Sequence, residues 1–247
     1  MKRLFKKVAL FVLLLLFAPF AFAEPVSAAP VLIPDIPGVS TADTVTILLL
    51  ITVLSIAPAI LILMTCFTRI VIVLGFVRTA LATQQMPPTQ VIIGLALFMT
   101  MFVMAPTLAA INETALQPML RGELEQTEAL ANAVVPLKEF MAKHTREKDL
   151  LLFLEYAGAE RPSSVQDIPL TALVPAFAIS ELKTAFQMGF MIFIPFLVID
   201  MIVSSVLMSM GMMMLPPVMI SLPFKILLFV LVDGWHLVVR SLLISFN

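Results

Sequence analysis

Thr184-Ala-Phe-Gln-Met-Gly-Phe-Met-Ile-Phe-Ile-Pro-Phe-Leu-Val-Ile-Asp-Met-Ile-Val-Ser-Ser-Val-Leu207 decides the fold class of this chain. Its apolar residues run on without alternating at period two, so it is not a barrel strand, whose lipid and lumen faces would alternate. A bilayer crossing needs about 20 residues of helix, and this stretch is long enough. Backbone polar groups in lipid must be satisfied within the segment, which leaves the helix as the form it takes. Three more stretches share this character, near 45–67, 90–111 and 218–244, the last interrupted by charges.

Composition supports the same class. The 247 residues are 61% hydrophobic and 13% charged, where soluble chains carry about 45–50% and about 25%. Mean hydropathy is +1.08. Such a chain cannot hide its apolar surface in one core, so part of its solvent is lipid or partner protein. The net charge of −1 sets up no field that would recruit nucleic acid. Cys66 is the single cysteine, which excludes an intrachain disulfide and a multi-cysteine metal site. In its apolar surroundings it reads as a small core residue.

The N-terminal region reads as an export signal. Lys2, Arg3, Lys6 and Lys7 precede an unbroken apolar run from Val8 to Phe17, and Ala21-Phe22-Ala23 supplies the small-x-small pattern of signal peptidase. Cleavage between Ala23 and Glu24 divides the chain into a signal at 1–23 and an exported Pro-rich tail at 24–43. There follow a first helical pair at 44–111, an extracytoplasmic helical segment at 112–180, and a second helical pair with a Met-rich loop at 181–247. The fold class is all-α: multi-span membrane hairpins with a small helical segment between them. An exported N-terminus and four crossings place 112–180 and the C-terminal end outside, with Arg69 and Arg78 flanking the first inside loop.

The segment from Glu113 through Glu181 holds eleven acidic and six basic residues. Pro136 suits the first turn of a helix there, with Leu137, Phe140 and Met141 on one face. Thr145 suits the cap of a second helix that carries Glu147 and Asp149 in its first turn. Arg161-Pro162-Ser163-Ser164 reads as loop.

Three features do not suit a simple lipid-facing bundle. Asp200, Lys225 and Asp233 lie within the third and fourth apolar segments, where each charge costs about 2.5–3.5 kcal/mol at mid-bilayer. Two readings account for them: Lys225 paired with Asp200 or Asp233, or a proton or ion relay. Pro58, Pro106, Pro195 and Pro223 each remove a backbone donor from a helix, which is tolerated where neighbouring protein satisfies the freed carbonyl. Last, Met208, Met210, Met212, Met213, Met214 and Met219 put six methionines into twelve residues, with Pro216-Pro217 breaking the helix among them. Flexible and polarizable, these side chains suit either a deformable closure around a passing polypeptide or ordinary gap-filling. No phosphate-binding loop, zinc-protease motif or nucleophile elbow is present, so no enzyme activity, cofactor or catalytic metal is expected.

Three long blocks carry a family resemblance: Phe67 to Pro88, Pro175 to Phe190, and Met214 to Trp235. They resemble the FliP family of flagellar type III export gate proteins, and the likeness extends over about 43–247. Ala82 stands where the family has glycine, and Thr89 where asparagine is common. The resemblance implies several copies joined with FliQ-like and FliR-like subunits and other export proteins in the inner membrane at the flagellar basal body. Unfolded flagellar subunits would pass through the gate, driven by the proton-motive force and a separate ATPase. It assigns a methionine gasket to Met210, Met212, Met213 and Met214, and subunit packing to Asp200, Lys225 and Asp233. The alternatives are a proton- or ion-coupled transporter subunit, a scaffold that never lines the path, or the injectisome member of the same family.

Overall fold

The computed structural model describes residues 47, 51–52, 55, 58–83, 85–159, 161–212 and 215–246. The expected signal and its Ala23–Glu24 junction, and Met213 and Met214, lie outside the described residues. Contacts divide the chain into Met1–Leu54 and Ser55–Asn247, and the description below concerns the second unit. Among the described residues there are helices and no strand. The main helices are α1 Pro58–Met64, α2 Phe67–Ala80, α3 Thr89–Ile111, α4 Gln126–His144, α5 Glu147–Tyr156, α6 Leu170–Ser209, α7 Pro217–Leu231 and α8 Gly234–Ile244.

α3 and α6 are long and apolar enough to cross a membrane singly. The pairs α1–α2 and α7–α8 qualify only as bent units, broken by 79° and 63°. The described helices thus give up to four crossings, with bounds shifted from those expected; most of 45–57, the start of the first expected segment, lies outside the described residues. The first does not end at Phe67: the chain turns at Thr65–Cys66 and continues as α2. Arg69 therefore lies in the first turn of a helix, away from the connection to α3, while Arg78 stands in the last turn of α2 beside it. Read as a sequence, Arg69 marks the end of an apolar run; in the structure its charge is met by Glu181. The second segment passes Ile111 through a π-helical turn, Asn112–Leu116, into one more turn ending at Leu120. The third starts at Leu170, well before Thr184, so α6 has 40 residues.

Packing explains which faces meet. On α2, Ile70, Val73, Leu74 and Val77 are buried at the three- and four-residue spacing of one helical face. On α6 the matching face carries the small residues Ala185 and Gly189, four residues apart. This lets the backbones approach closely. A Cβ added at Gly189 would lie 2.3 Å from the Phe76 ring, so that position has no room for a side chain. Phe76 also meets Phe186 edge to face, with centroids 5.4 Å apart.

Between α3 and α6, the expected helical segment is present with two corrections. Pro136 lies inside α4, not in its first turn, because Glu128-Ala-Leu-Ala ahead of it are good helix formers. Thr145 does not cap α5. Its hydroxyl donates back to the Met141 carbonyl at 2.7 Å, and Arg146 takes the N-cap position. Leu137, Phe140 and Met141 do share a face, packed with Ile168, Leu173 and Phe177. Ser164 forms a capping box with Asp167 in a short 3-10 turn after the loop.

Candidate functional site

Three buried polar clusters and one exposed loop distinguish this bundle from a plain apolar one. The first cluster lies between α6 and α7. Lys225 is 2% exposed and its Nζ stands 2.7 Å from Asp200 Oδ2, while the Ser221 hydroxyl donates to Oδ1. Both carboxylate oxygens are thus occupied by residues one turn apart on α7. Asp233 does not join them. It is exposed, at φ 51 in the left-handed region between α7 and α8, and makes no ion pair with Lys225. The bend separates it from the α6–α7 face that holds the other two. Asp tolerates this backbone conformation better than most residues, which accounts for its place at the break.

The second cluster joins α2 to α6. Arg69 Nε donates to Glu181 Oε2 at 2.9 Å and Nη2 to Oε1, a bidentate fork buried on both sides. Nη1 donates to the carbonyl and the hydroxyl of Ser245, at 2.9 and 3.0 Å. Arg69 carries no warning in the sequence beyond its charge in an apolar run, and Glu181 reads as the edge of a polar segment. Neither was expected at a site. The signal that joins them is helical register: Glu181 lies four and eight residues before Ala185 and Gly189, on the face of α6 that meets α2.

The third cluster fixes α5 to α6. The Arg146 amide donates to Ser180 Oγ at 3.1 Å, Ser180 donates to Asp149 Oδ2 at 2.6 Å, and the Arg146 guanidinium pairs with the same carboxylate. Asp149 occupies the third helical position, where a capping carboxylate belongs, but a serine of another helix is interposed. Burial alone would raise the Asp149 carboxyl. The Ser180 and Arg146 hydrogen bonds and the nearby Arg146 and Lys183 charges outweigh it and hold the pKa below the usual range. Beside this cluster, His144 sits between Phe140 and Phe246, with ring centroids 4.8 and 5.5 Å away. Burial, then the charges of Arg69 and Lys143, lower its pKa from 6.5 to about 4.

The loop joins α6 to α7. α6 closes at Gly211, whose φ of 76 favours glycine. Met212 N–H returns to the Leu207 carbonyl at 3.0 Å and Gly211 N–H to that of Met208 at 3.1 Å. On the other side Pro216 precedes and Pro217 begins α7, the first-turn position where a missing donor costs nothing. At and between these fixed ends the described methionines are exposed: Met208 and Met210 at the end of α6, Met212 in the loop and Met219 in the first turn of α7 are 65%, 66%, 42% and 57% exposed. Below them, between α6 and α7, a slot of about 470 Å³ is lined by apolar residues, among them Val203, Leu207, Ile220 and Phe224.

Comparison with known proteins places this architecture. The FliP family model matches residues 50–242, more than three quarters of the chain. Flagellar biosynthetic protein FliP of Bacillus subtilis (strain 168) is 70% identical over 207 residues, covering 84% of this chain and 94% of that protein. The protein of the same name from Cereibacter sphaeroides is 52% identical over 209 residues, 85% and 69% of the two chains. That of Aquifex aeolicus (strain VF5) is 49% identical over 207 residues, 83% and 87%. The chain belongs to the FliP family.

Proposed function

We propose that this chain is a pore-forming subunit of a flagellar type III export gate in the bacterial inner membrane. Its relatives' names tie them to flagellar biosynthesis, and the outward-facing methionine loop is the observation that carries the pore assignment. Six methionines crowd residues 208–219, in and around a loop whose two ends are held by a glycine closure and a proline start. A ring of such loops from several copies would seal a channel with soft, sequence-indifferent side chains and yield to an unfolded polypeptide. Copies would associate with each other and with FliQ-like and FliR-like subunits through the apolar faces of α3, α6 and α7, where Phe98, Phe102, Phe190 and Leu231 are exposed.

A relay through the buried charges is the weaker reading. Both oxygens of Asp200 are already taken by Ser221 and Lys225, and Asp233 stands away from them. We read the pair as the polar pin of the hairpin.

The seal is tested by replacing Met212, Met213 and Met214 with alanine in the expressed complex and following efflux of a small dye. We expect a leak across the membrane with the complex still assembled. Tight membranes together with normal export would remove the gasket role from this loop.

A further inference from the structure

α8 has one buried face and two unlike ends. Val238, Leu242 and Phe246 recur every four residues and are buried in the cluster that holds Ile70, Val73, Leu74 and Val77 of α2. At its first end the chain bends 63° from α7. Asp233 makes that bend at φ 51. Gly234 completes it, because a Cβ there would fall 2.3 Å from the Phe229 ring. At its far end α8 is gripped. Arg69 Nη1 holds both oxygens of Ser245, and the guanidinium carbon stands 4.0 Å from the centre of the Phe246 ring. The other face of this contact is Phe246 against His144, 5.5 Å between centroids.

We propose that α8 is a hinged strap, bent at Asp233–Gly234 and locked onto α2 by Arg69 through the Ser245–Phe246 turn. Eleven residues are too few for a stable helix in isolation, so the order of α8 depends on what it docks against. Its apolar face supplies part of that docking. The turn supplies the rest, and only an arginine fits there. Two of its nitrogens are committed to Glu181 while the third reaches Ser245, a division that the planar fork allows and a lysine ammonium does not. The lock and the buried ion pair therefore share one side chain. When the turn leaves, Nη1 loses two acceptors and its aromatic cover inside a desolvated site, which penalises opening. The strap thereby ties the second helical pair to the first, whatever passes through the assembly, and does not depend on the gate assignment.

Hydrogen exchange on the full chain in detergent tests this. Phe246→Ala leaves the Arg69–Glu181 pair whole and should lower protection of amides 234–244 by about tenfold or more, with α3 unchanged. Arg69→Lys should act in the same direction. The exchanged pair Arg69→Glu with Glu181→Arg separates lock from ion pair. It restores opposite charges, but a carboxylate at 69 cannot donate to the Ser245 carbonyl, so α8 should stay loose. Unchanged α8 protection in Phe246→Ala, an equal loss in every helix, or full recovery in the exchanged pair would each overturn the strap. Phe246→Ala decides the matter even where substitutions at Arg69 prevent folding.

Discussion

At the scale of single residues, the most informative position is Ala82. The resemblance to the family puts glycine there, and the structure places Ala82 at φ 57, in the left-handed region that disfavours a Cβ. Its amide closes the turn on the Thr79 carbonyl at 3.0 Å, so the conformation is held by the turn after α2. Ala82→Gly should therefore stabilise the chain by about 1 kcal/mol, roughly 2–4 °C in a melt of a chain this size. An unchanged or lowered midpoint would mean that the backbone there relaxes at no cost. Thr89, the other departure from the family pattern, has found a use: its hydroxyl accepts from Arg78 Nη1 at 3.0 Å. Both positions lay in plain view in the sequence, but only the dihedral angle and the partner say what each substitution costs or gains.

Among elements, the α6–α7 hairpin shows how far a sequence can be read. The charges at 200 and 225 are visible as anomalies, and their pairing follows from the cost of leaving either alone. What cannot be read is which acid is chosen. Asp233 is nearer in sequence to Lys225 than Asp200 is, yet the left-handed break puts it on the far side of a bend that no hydropathy pattern reveals. The same limit applies to α2, whose Arg69 looks like a segment end until Glu181 is seen opposite it. The pair at 200 and 225 makes a double-mutant prediction. Asp200→Asn leaves a fully buried ammonium without its counter-charge and should cost about 3 kcal/mol, while Lys225→Met should cost less because Asp200 keeps some exposure. The double variant should recover much of the loss. Strictly additive losses in unfolding experiments in detergent would show that the two side chains act independently.

The molecule as a whole responds to acid through groups outside the apolar spans. His144 titrates at about 4 when folded against 6.5 when free, so the unfolded chain binds the proton first. Stability should fall as the pH drops from about 6.5 to about 4 and level off below, as far as this group is concerned. Asp149, held below its usual 3.8, adds a loss only at lower pH, so the two windows are distinguishable. His144→Gln should flatten the upper window, and a slope that survives the substitution would assign it to another group. At this scale α6 also has a consequence for length. Glu181 and Asp200, the anchors of its two buried ion pairs, lie 200 − 181 = 19 residues apart, which is about 28 Å along the axis and about 100° around it. A hydrocarbon layer about 30 Å thick, centred on either anchor of an upright helix, leaves the other beyond its edge. Inserting or deleting one residue between them would turn one anchor by about 100° away from its partner. Evolution can exchange side chains in that interval wherever the packing leaves room, as it does not at Gly189, but it cannot change their number.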